Sequence, residues 1–141
     1  MIICDTAPIV AAALYKDSDH HRCVELFTGL RLANRQLLVP SPIVAEVGYL
    51  LGVKADARTE AFFLRALADR DFISVEPTVG DYARMAELVE RYHDLPLATS
   101  DASVIALAER LDVEEIATLD LRHFTVVRPR HVKAFTLLPD R

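Results

Sequence analysis

The sequence predicts an α/β fold in which a mostly parallel sheet carries helices on its faces. Strand-like and helix-like segments alternate from one end of the chain to the other, and this alternation is the main reason for that fold class. The chain has 141 residues, which is close to the usual size of one domain, and no internal repeat or linker divides it. We therefore expect one domain that spans residues 1–141.

Caps and prolines mark where the predicted helices begin, and apolar runs mark the strands. Pro8 suits the first turn of a helix, Ser41 with Pro42 begins another, and Thr78 caps a third. In chain order, strands are expected at residues 2–4, 36–39, 72–75, 115–119 and 134–138. Helices are expected to begin near residues 8, 19, 41, 56, 79 and 101, with a loop over 94–100.

The composition excludes several classes of protein. The net charge is −5, which argues against non-specific coating of nucleic acid. No apolar run approaches the roughly 18 residues of a membrane span, and no signal peptide opens the sequence. Two cysteines without a CxxC spacing are expected to be buried thiols in a reducing compartment. We therefore expect a cytoplasmic protein that does not associate with membranes.

Residues 122–133 depart from the acidic balance of the rest of the chain. They contain four arginine or lysine residues and no acidic residue. Such a strip is compatible with a phosphate-bearing ligand held at one place. Charge alone favours the other interpretation, a solvated C-terminal loop.

Two acidic residues, Asp5 and Asp120, directly follow predicted strands. Ligands of open α/β sheets bind outside the carboxyl ends of the strands, so both side chains are expected at that edge. Each residue taken alone has a simpler explanation, because Asp5 can cap the next helix and Asp120 can form a turn.

Asp101 and Glu46 lie on predicted helices, where an acid is less easily explained. Asp101 heads the apolar stripe of its helix, which is the face expected to pack on the sheet. The helix dipole favours an acid in the first turn by roughly 0.3–1 kcal/mol, but it does not explain an acid on the buried face. Glu46 lies roughly 40° beyond the edge of its apolar stripe, where a side chain that reaches to solvent is equally common.

The four acids together predict a divalent-metal site. Two unit charges about 5 Å apart cost on the order of 3 kcal/mol at an effective dielectric constant of about 20, so a cluster of carboxylates needs a cation. Oxygen ligands without imidazole or thiolate select Mg²⁺ or Mn²⁺. Such an ion lowers the pKa of water and neutralises charge that develops on a phosphodiester, which predicts phosphodiester hydrolysis.

Other polar residues give weaker signals. Thr6, Ser100 and Thr118 flank three of the acids, and their hydroxyls can bind water or phosphate as readily as they can cap helices or pack in strands. No GxxxxGK, GxGxxG or GxSxG motif is present. Three histidines have no spacing typical of metal ligands: His93, His123 and His131.

Several short motifs occur in a specific order along the chain. They are Asp5-Thr6, Ser41-Pro-Ile-Val-Ala-Glu46-Val, Asp94-Leu-Pro-Leu with Asp101-Ala102, Ala117-Thr-Leu-Asp120-Leu-Arg-His-Phe124 and Arg128-Pro-Arg-His131. Their order and spacing resemble the PIN-domain family and, more narrowly, VapC-type toxins of type II toxin–antitoxin pairs. The resemblance covers essentially the whole chain.

This resemblance implies both a fold and a function. The fold is a three-layer α/β/α PIN-like arrangement, and the function is that of an Mg²⁺- or Mn²⁺-dependent endoribonuclease. Such an enzyme cuts structured RNA, often transfer or ribosomal RNA, and thereby arrests growth. The resemblance also implies a homodimer and a VapB-like antitoxin whose C-terminal segment occupies the active-site groove.

The resemblance assigns Asp5, Glu46, Asp101 and Asp120 to the acidic quartet of the family. Asp5 and Asp101 correspond to the usual direct metal ligands, while Glu46 and Asp120 complete the site and help to position the attacking water. Thr118 matches a hydroxyl position that is often seen there.

One departure from the family pattern affects the metal and the RNA. Some relatives carry a further acid two residues after the last aspartate, where this chain has Arg122. The departure predicts one firm metal site in the free protein. Arg122, Arg128 and Arg130 are then candidates for contacts with RNA phosphates.

Two alternatives to a toxin stay open. The first is a PIN-type nuclease of RNA processing that has no antitoxin, and a small antitoxin reading frame next to the gene would argue against it. The second is a non-catalytic interaction module, which the four acids disfavour because a scaffold has no reason to keep charges that repel one another. Apolar side chains near Phe62 and Phe63 are candidates for dimer or antitoxin contacts.

Overall fold

Strands and helices alternate as the sequence predicts in the computed structural model, which describes residues 1–140. The strands are β1 (Ile2–Cys4), β2 (Leu37–Pro40), β3 (Ile73–Val75), β4 (Glu115–Ala117) and β5 (Thr136–Leu138). The helices are α1 (Thr6–Ala13), α2 (His20–Leu32), α3 (Ser41–Lys54), α4 (Ala57–Ala68), α5 (Val79–Arg91), α6 (Thr99–Leu111) and α7 (Leu121–Val126). None of these helices combines the length and the apolar character needed to cross a bilayer.

The five strands form one parallel sheet in the order β3-β2-β1-β4-β5. Strand β1 lies at the centre, where Ile3 pairs with Leu38 of β2 on one side and with Ile116 of β4 on the other. Strands covered on both faces are apolar along their length, and every residue of β1 and β2 is buried.

The strand order places the helices in two layers. From β1 the chain runs through β2 to β3 at one edge and then returns to β4 and β5 on the other side of β1. With right-handed crossovers, this reversal puts helices α1 to α4 on one face and α5 to α7 on the other, in agreement with the packing of α1 on α2 and of α5 on α6. The three-layer α/β/α arrangement is confirmed. The reversal between β1 and β4 is where ligand crevices open in such folds.

The segment after β4 differs from the loop that charge alone favours for residues 122–133. Its first part belongs to helix α7, which Asp120 caps by accepting a hydrogen bond from the backbone N–H of His123 at 3.0 Å. The ring of Phe124 packs edge-on against Phe135, and both side chains are buried. This helix has only six residues, so no apolar periodicity reveals it in the sequence.

An apolar groove of about 450 Å³ lies between α1, α2 and α4. The two phenylalanines that the sequence offered for dimer or antitoxin contacts differ in exposure. Phe63 is buried, whereas Phe62 lines the groove with 73% of its surface exposed. Arg31 and Arg58 also line the groove and give it positive charge.

Cys4 and Cys23 are both buried, as the sequence predicts, and neither forms a disulfide within residues 1–140. Burial raises the pKa of the Cys4 thiol, with a smaller contribution from the charge of Asp5. The thiol of Cys4 therefore stays protonated and packs as a small apolar side chain.

Candidate active site

The four predicted acids line one cleft at the carboxyl edge of the sheet. The cleft has a volume of about 490 Å³. Asp5 reaches it from the end of β1, Asp120 from the segment after β4, Asp101 from the first turn of α6 and Glu46 from the middle of α3. The fold thus brings all four together, as the carboxyl-edge argument predicts.

Asp5 is buried, and its carboxylate is not used to cap the helix that follows. The side chain makes no capping hydrogen bond to α1. Instead its Oδ2 accepts a hydrogen bond from Thr118 Oγ1 at 2.8 Å, and the same hydroxyl accepts one from the backbone N–H of Asp120 at 2.9 Å. Thr118 therefore holds the ends of β1 and β4 in a fixed relation.

Burial raises the pKa of Asp5 to about 6. The nearby backbone N–H of Thr6 and the hydroxyl of Thr118 act in the opposite direction, while the charges of Asp101 and Asp120 raise the pKa further. The ionised form of Asp5 is therefore disfavoured by its surroundings, and a cation in the cleft would stabilise it.

Asp101 lies on the buried side of the first turn of α6, as its place in the apolar stripe predicts. Its side chain is 14% exposed, and Oδ2 accepts a hydrogen bond from the backbone N–H of Ala98 at 3.1 Å. Burial raises the pKa of Asp101, and the charges of Asp120 and Glu46 add to that effect. Glu46 itself is exposed on α3 and therefore lies at the rim of the cleft.

His123 lies beside these acids, although the sequence shows no spacing typical of metal ligands around it. It follows Asp120 by one turn of α7, and its Nδ1 contacts the Asp120 carboxylate. The same nitrogen lies 3.9 Å from Asp101 Oδ2. One ligand atom from each of these three residues lies within 4.8 Å of the other two. His123 follows Asp120 by three residues, and this spacing places the two side chains on one side of a helix only if α7 is recognised in the sequence.

Sequence reasoning also missed two other residues that line the cleft. Asp17 lies in the turn before α2, and Lys54 lies at the end of α3. Asp19, at the start of α2, also lines the cleft and forms an ion pair with Arg22 at 2.5 Å. Six carboxylates and one lysine thus line the cleft, which gives it a strongly negative potential.

Of the two other hydroxyl residues that the sequence singled out, Thr6 and Ser100, only Thr6 lines the cleft. Thr6 lines the cleft, and its buried Oγ1 has no hydrogen-bond partner within residues 1–140. Ser100 does not line the cleft, and its backbone carbonyl accepts a hydrogen bond from Ser103 at 2.6 Å. Thr6 is therefore the better candidate for contact with a ligand.

The three arginines proposed to contact RNA phosphates do not line the cleft. Arg122 is exposed on α7. The backbone N–H of Arg128 donates to the Tyr92 hydroxyl at 3.1 Å, and Arg130 forms an ion pair with Glu87 at 2.9 Å. Their contact with RNA therefore depends on a substrate that extends beyond the cleft.

The donor set of the cleft fits a divalent cation. Within residues 1–140, no lysine or arginine forms an ion pair with Asp5, Glu46, Asp101 or Asp120. The chain therefore leaves the mutual repulsion of these carboxylates largely uncompensated. Carboxylate oxygens are the ligands that Mg²⁺ and Mn²⁺ prefer, and a divalent charge offsets that repulsion.

Comparison with known proteins identifies the family. The sequence pattern of the PIN domain matches residues 2–128, a range that includes all four acids. The chain belongs to the PIN-domain family. This PIN domain is also 30% identical over 139 residues to Ribonuclease VapC26 of Mycobacterium tuberculosis (strain ATCC 25618 / H37Rv), with 98% of this chain and 100% of that relative covered. The resemblance to VapC-type toxins is confirmed.

Solved structures show the same fold at low sequence identity. The Sarcin-Ricin loop cleaving toxin VapC20 of Mycobacterium tuberculosis is similar with a TM-score of 0.77 at 15% identity, covering 87% of this PIN domain and 92% of that chain. VapBC2 of Rickettsia felis, bound to a DNA fragment from its promoter, is similar with a TM-score of 0.68 at 15% identity, covering 97% of both chains. FitAcB of Neisseria gonorrhoeae is similar with a TM-score of 0.59 at 21% identity, covering 88% of this PIN domain and 91% of that chain.

Proposed function

We propose that this PIN domain, residues 1–141, is an Mg²⁺- or Mn²⁺-dependent endoribonuclease and the toxin of a type II toxin–antitoxin pair. The observation that carries the proposal is the cleft, where Asp5, Glu46, Asp101 and Asp120 meet without an arginine or lysine partner among the described residues. The similarity to Ribonuclease VapC26 over nearly the whole chain supports the nuclease activity.

In this proposal the most buried acids hold the ion. Asp5 is 6% exposed and the Asp101 side chain 14%, against 33% for the side chain of Asp120. A bound Mg²⁺ or Mn²⁺ would lower the pKa of a water molecule in the cleft and would neutralise the negative charge that develops on the phosphodiester. Asp120 and Glu46 complete the site, directly or through water, and help to orient the attacking water. Thr118 keeps Asp5 and Asp120 in place through hydrogen bonds to both residues.

The proposed substrate is structured RNA of the transfer or ribosomal class. A cleft with six carboxylates repels phosphate, so RNA binding depends on the ion and on cations outside the cleft. Arg122 and Arg128 are exposed on and just after α7, close in sequence to Asp120. The similar fold of VapC20, which is described as cleaving the Sarcin-Ricin loop, supports an RNA substrate.

The cleavage test compares two substitutions of aspartate by asparagine. With total RNA and Mn²⁺, we expect Asp101→Asn to lower the cleavage rate about a hundredfold or more, because it removes a ligand charge that holds the ion at the reacting phosphate. Asp94→Asn is the matched control, since Asp94 is 95% exposed and does not line the cleft. Sequencing of the new RNA ends identifies the target. Equal cleavage by both variants would refute the proposed site.

We further propose that the apolar groove binds an amphipathic segment of a VapB-like antitoxin. Phe62 offers an exposed ring there, and Arg31 and Arg58 suit acidic side chains on the partner. Helix α1 lines both the groove and the cleft, so a segment that follows α1 covers both. The likeness to VapBC2 supports a partner of this kind.

The partner test uses the product of a small reading frame next to the gene. We expect it to copurify with the wild type and to bind Phe62→Ser at least about tenfold more weakly, since a buried phenylalanine at an interface contributes roughly 1.5–3 kcal/mol. Val79→Ser is the matched control, because Val79 is 88% exposed on α5, on the opposite face of the sheet. Unchanged binding by Phe62→Ser contradicts this groove as the docking site. Growth arrest on expression, relieved by the partner and absent for Asp101→Asn, tests the toxin role.

We also propose that the free protein is a homodimer, as the family resemblance implies. Light scattering tests this directly, and a monomeric mass at all concentrations contradicts it. Phe62→Ser should leave the dimer intact, because the proposal assigns the apolar groove to the antitoxin.

A further inference from the structure

His123 joins two of the four acids in space, and the proposed function does not use it. Helix α7 places it there: Asp120 caps the helix, and the imidazole lies one turn later on the same side. Its side chain is 20% exposed, so the ring faces the acids rather than solvent. Phosphodiester hydrolysis by carboxylate-bound metal does not require a histidine at this position.

These groups lie within reach of a single ion, but Nδ1 of His123 and Oδ2 of Asp120 lie closer together than two adjacent ligands of one ion would. Ligand atoms at roughly 2.1 Å from a metal lie about 3.0 Å apart when adjacent and about 4.2 Å apart when opposite. Nδ1 of His123 contacts Asp120 Oδ2 and lies 3.9 Å from Asp101 Oδ2. All three ligand atoms lie within 4.8 Å of one another. An ion bound among them would separate Nδ1 from the Asp120 carboxylate and replace their contact.

The carboxylate of Asp101 keeps capacity for an ion in this arrangement. Its Oδ2 accepts one hydrogen bond, from the backbone N–H of Ala98, and a carboxylate offers about four lone-pair sites. Asp120 uses Oδ1 for the backbone N–H of His123, which leaves Oδ2 on the side of the imidazole. Both acids therefore satisfy the backbone and still present oxygen to the same point.

We propose that His123 Nδ1 is a direct ligand of the catalytic ion, together with Asp101 and Asp120, and that it makes the site selective for Mn²⁺ over Mg²⁺. The inference rests on the proposed metal-dependent function and adds a nitrogen to a site predicted from oxygen ligands alone. Mg²⁺ prefers oxygen and water, whereas first-row transition ions accept imidazole readily. The imidazole therefore separates two ions that carboxylates bind alike.

The test is pulsed electron paramagnetic resonance of the protein loaded with Mn²⁺ in the absence of RNA. A directly bound imidazole gives strong ¹⁴N modulation of the Mn²⁺ signal, which changes to the ¹⁵N pattern when the histidines are labelled with ¹⁵N. We expect this modulation in the wild type and its loss in His123→Asn. Asparagine still places a hydrogen-bond donor near Asp120, so a role confined to positioning Asp120 is retained in that variant.

The controls separate failure of this inference from failure of the metal site itself. His93→Gln removes an exposed imidazole that pairs with Asp94 at 3.1 Å, and it should leave the nitrogen signal unchanged. Asp101→Asn should abolish Mn²⁺ binding altogether. Mn²⁺ that binds to the wild type without direct nitrogen coupling overturns the role of His123 but leaves the metal site standing. A protein that binds no Mn²⁺ overturns both.

Metal selectivity gives a second readout. Titration of the wild type should show Mn²⁺ binding at least about tenfold tighter than Mg²⁺, and His123→Asn should reduce that ratio by about tenfold, mainly by weakening Mn²⁺. An unchanged ratio overturns the proposal, because a residue that only supports the fold or Asp120 affects both ions equally.

Discussion

Two regions of this PIN domain contain buried acidic side chains, and only one of these regions supplies arginine partners for them. Between α5 and α6, Arg84 donates two hydrogen bonds to the Glu109 carboxylate at 2.8 and 3.0 Å, and Arg110 pairs with Asp81 at 2.9 Å. We call these four residues the α5–α6 ion-pair cluster. In the cleft, by contrast, the four acids have no arginine or lysine partner within the described part of the chain.

The pKa values of the two regions diverge accordingly. At Glu109, burial raises the pKa, but hydrogen bonds from Arg84 and the backbone N–H of Arg130 outweigh it, so the pKa falls below its usual value. At Asp5, burial dominates and the pKa rises to about 6. The chain thus pairs some buried acids with arginine but supplies no arginine or lysine to those in the cleft, which lowers stability there and supports the proposal that an external cation binds.

The largest effect on stability is expected in the α5–α6 ion-pair cluster. Glu109→Ala leaves the Arg84 guanidinium, only 13% exposed, without its main partner. We expect a loss of about 2–3 kcal/mol in the free energy of unfolding, or roughly 6–10 °C in Tm. Glu87→Ala is the control, because the Glu87 side chain is 57% exposed and its ion pairs contribute about 0.5 kcal/mol or less. Equal losses in both variants would show that burial does not distinguish these pairs.

The pH dependence of Asp5 tests the opposite behaviour in the cleft. The unfolded chain releases this proton near pH 4 and the folded chain only near pH 6, so ionisation costs stability as the pH rises from 4 to 6. Relative to Asp5→Asn, the metal-free wild type should therefore lose about 2 kcal/mol between pH 4 and pH 7. Urea unfolding in the presence of a chelator measures this, with Asp94→Asn as the control. If the free energy of unfolding of the wild type instead rises relative to that of Asp5→Asn as the pH increases, the raised pKa of Asp5 is contradicted.

Metal should reverse the penalty in the cleft. Without metal, Asp101→Asn should melt above the wild type, because the substitution relieves repulsion and keeps the acceptor for the Ala98 N–H. Mn²⁺ at about ten times its Kd should add roughly 1.4 kcal/mol to the wild type and little to the variant. Differential scanning calorimetry measures both, and a wild-type Tm that does not respond to Mn²⁺ or Mg²⁺ would sink the metal site.

The smallest expected effect compares two exposed arginines. Arg122 forms no ion pair within residues 1–140, whereas Arg130 is paired with Glu87. Arg122→Ala should lower the slope of log K against log salt for RNA binding by about one, because one phosphate contact is lost. Arg130→Ala removes the same charge and should change the slope less. A larger change in the slope for Arg130→Ala than for Arg122→Ala would place the RNA path along α5 instead of α7.

The sequence predicted most of the fold because local signals agree with the tertiary structure. Each predicted strand is present within one or two residues of its expected ends. The carboxyl-edge rule located Asp5 and Asp120, and the apolar stripe of α6 located Asp101, since both follow from periodicity and chain direction. Helix α7 escaped because a helix of six residues is held by Asp120 and by the burial of Phe124, not by a repeating pattern.

The sequence alone therefore determined the fold class, the family and which four acids line the cleft, since each depends on residue order and short-range periodicity. Only the tertiary structure decided which neighbours those acids have. It placed His123 against Asp101 and Asp120, and it paired Arg130 with Glu87 away from the cleft. Charge interactions depend on distance in space, and contacts between residues far apart in the chain exist only once the sheet and its helices have packed.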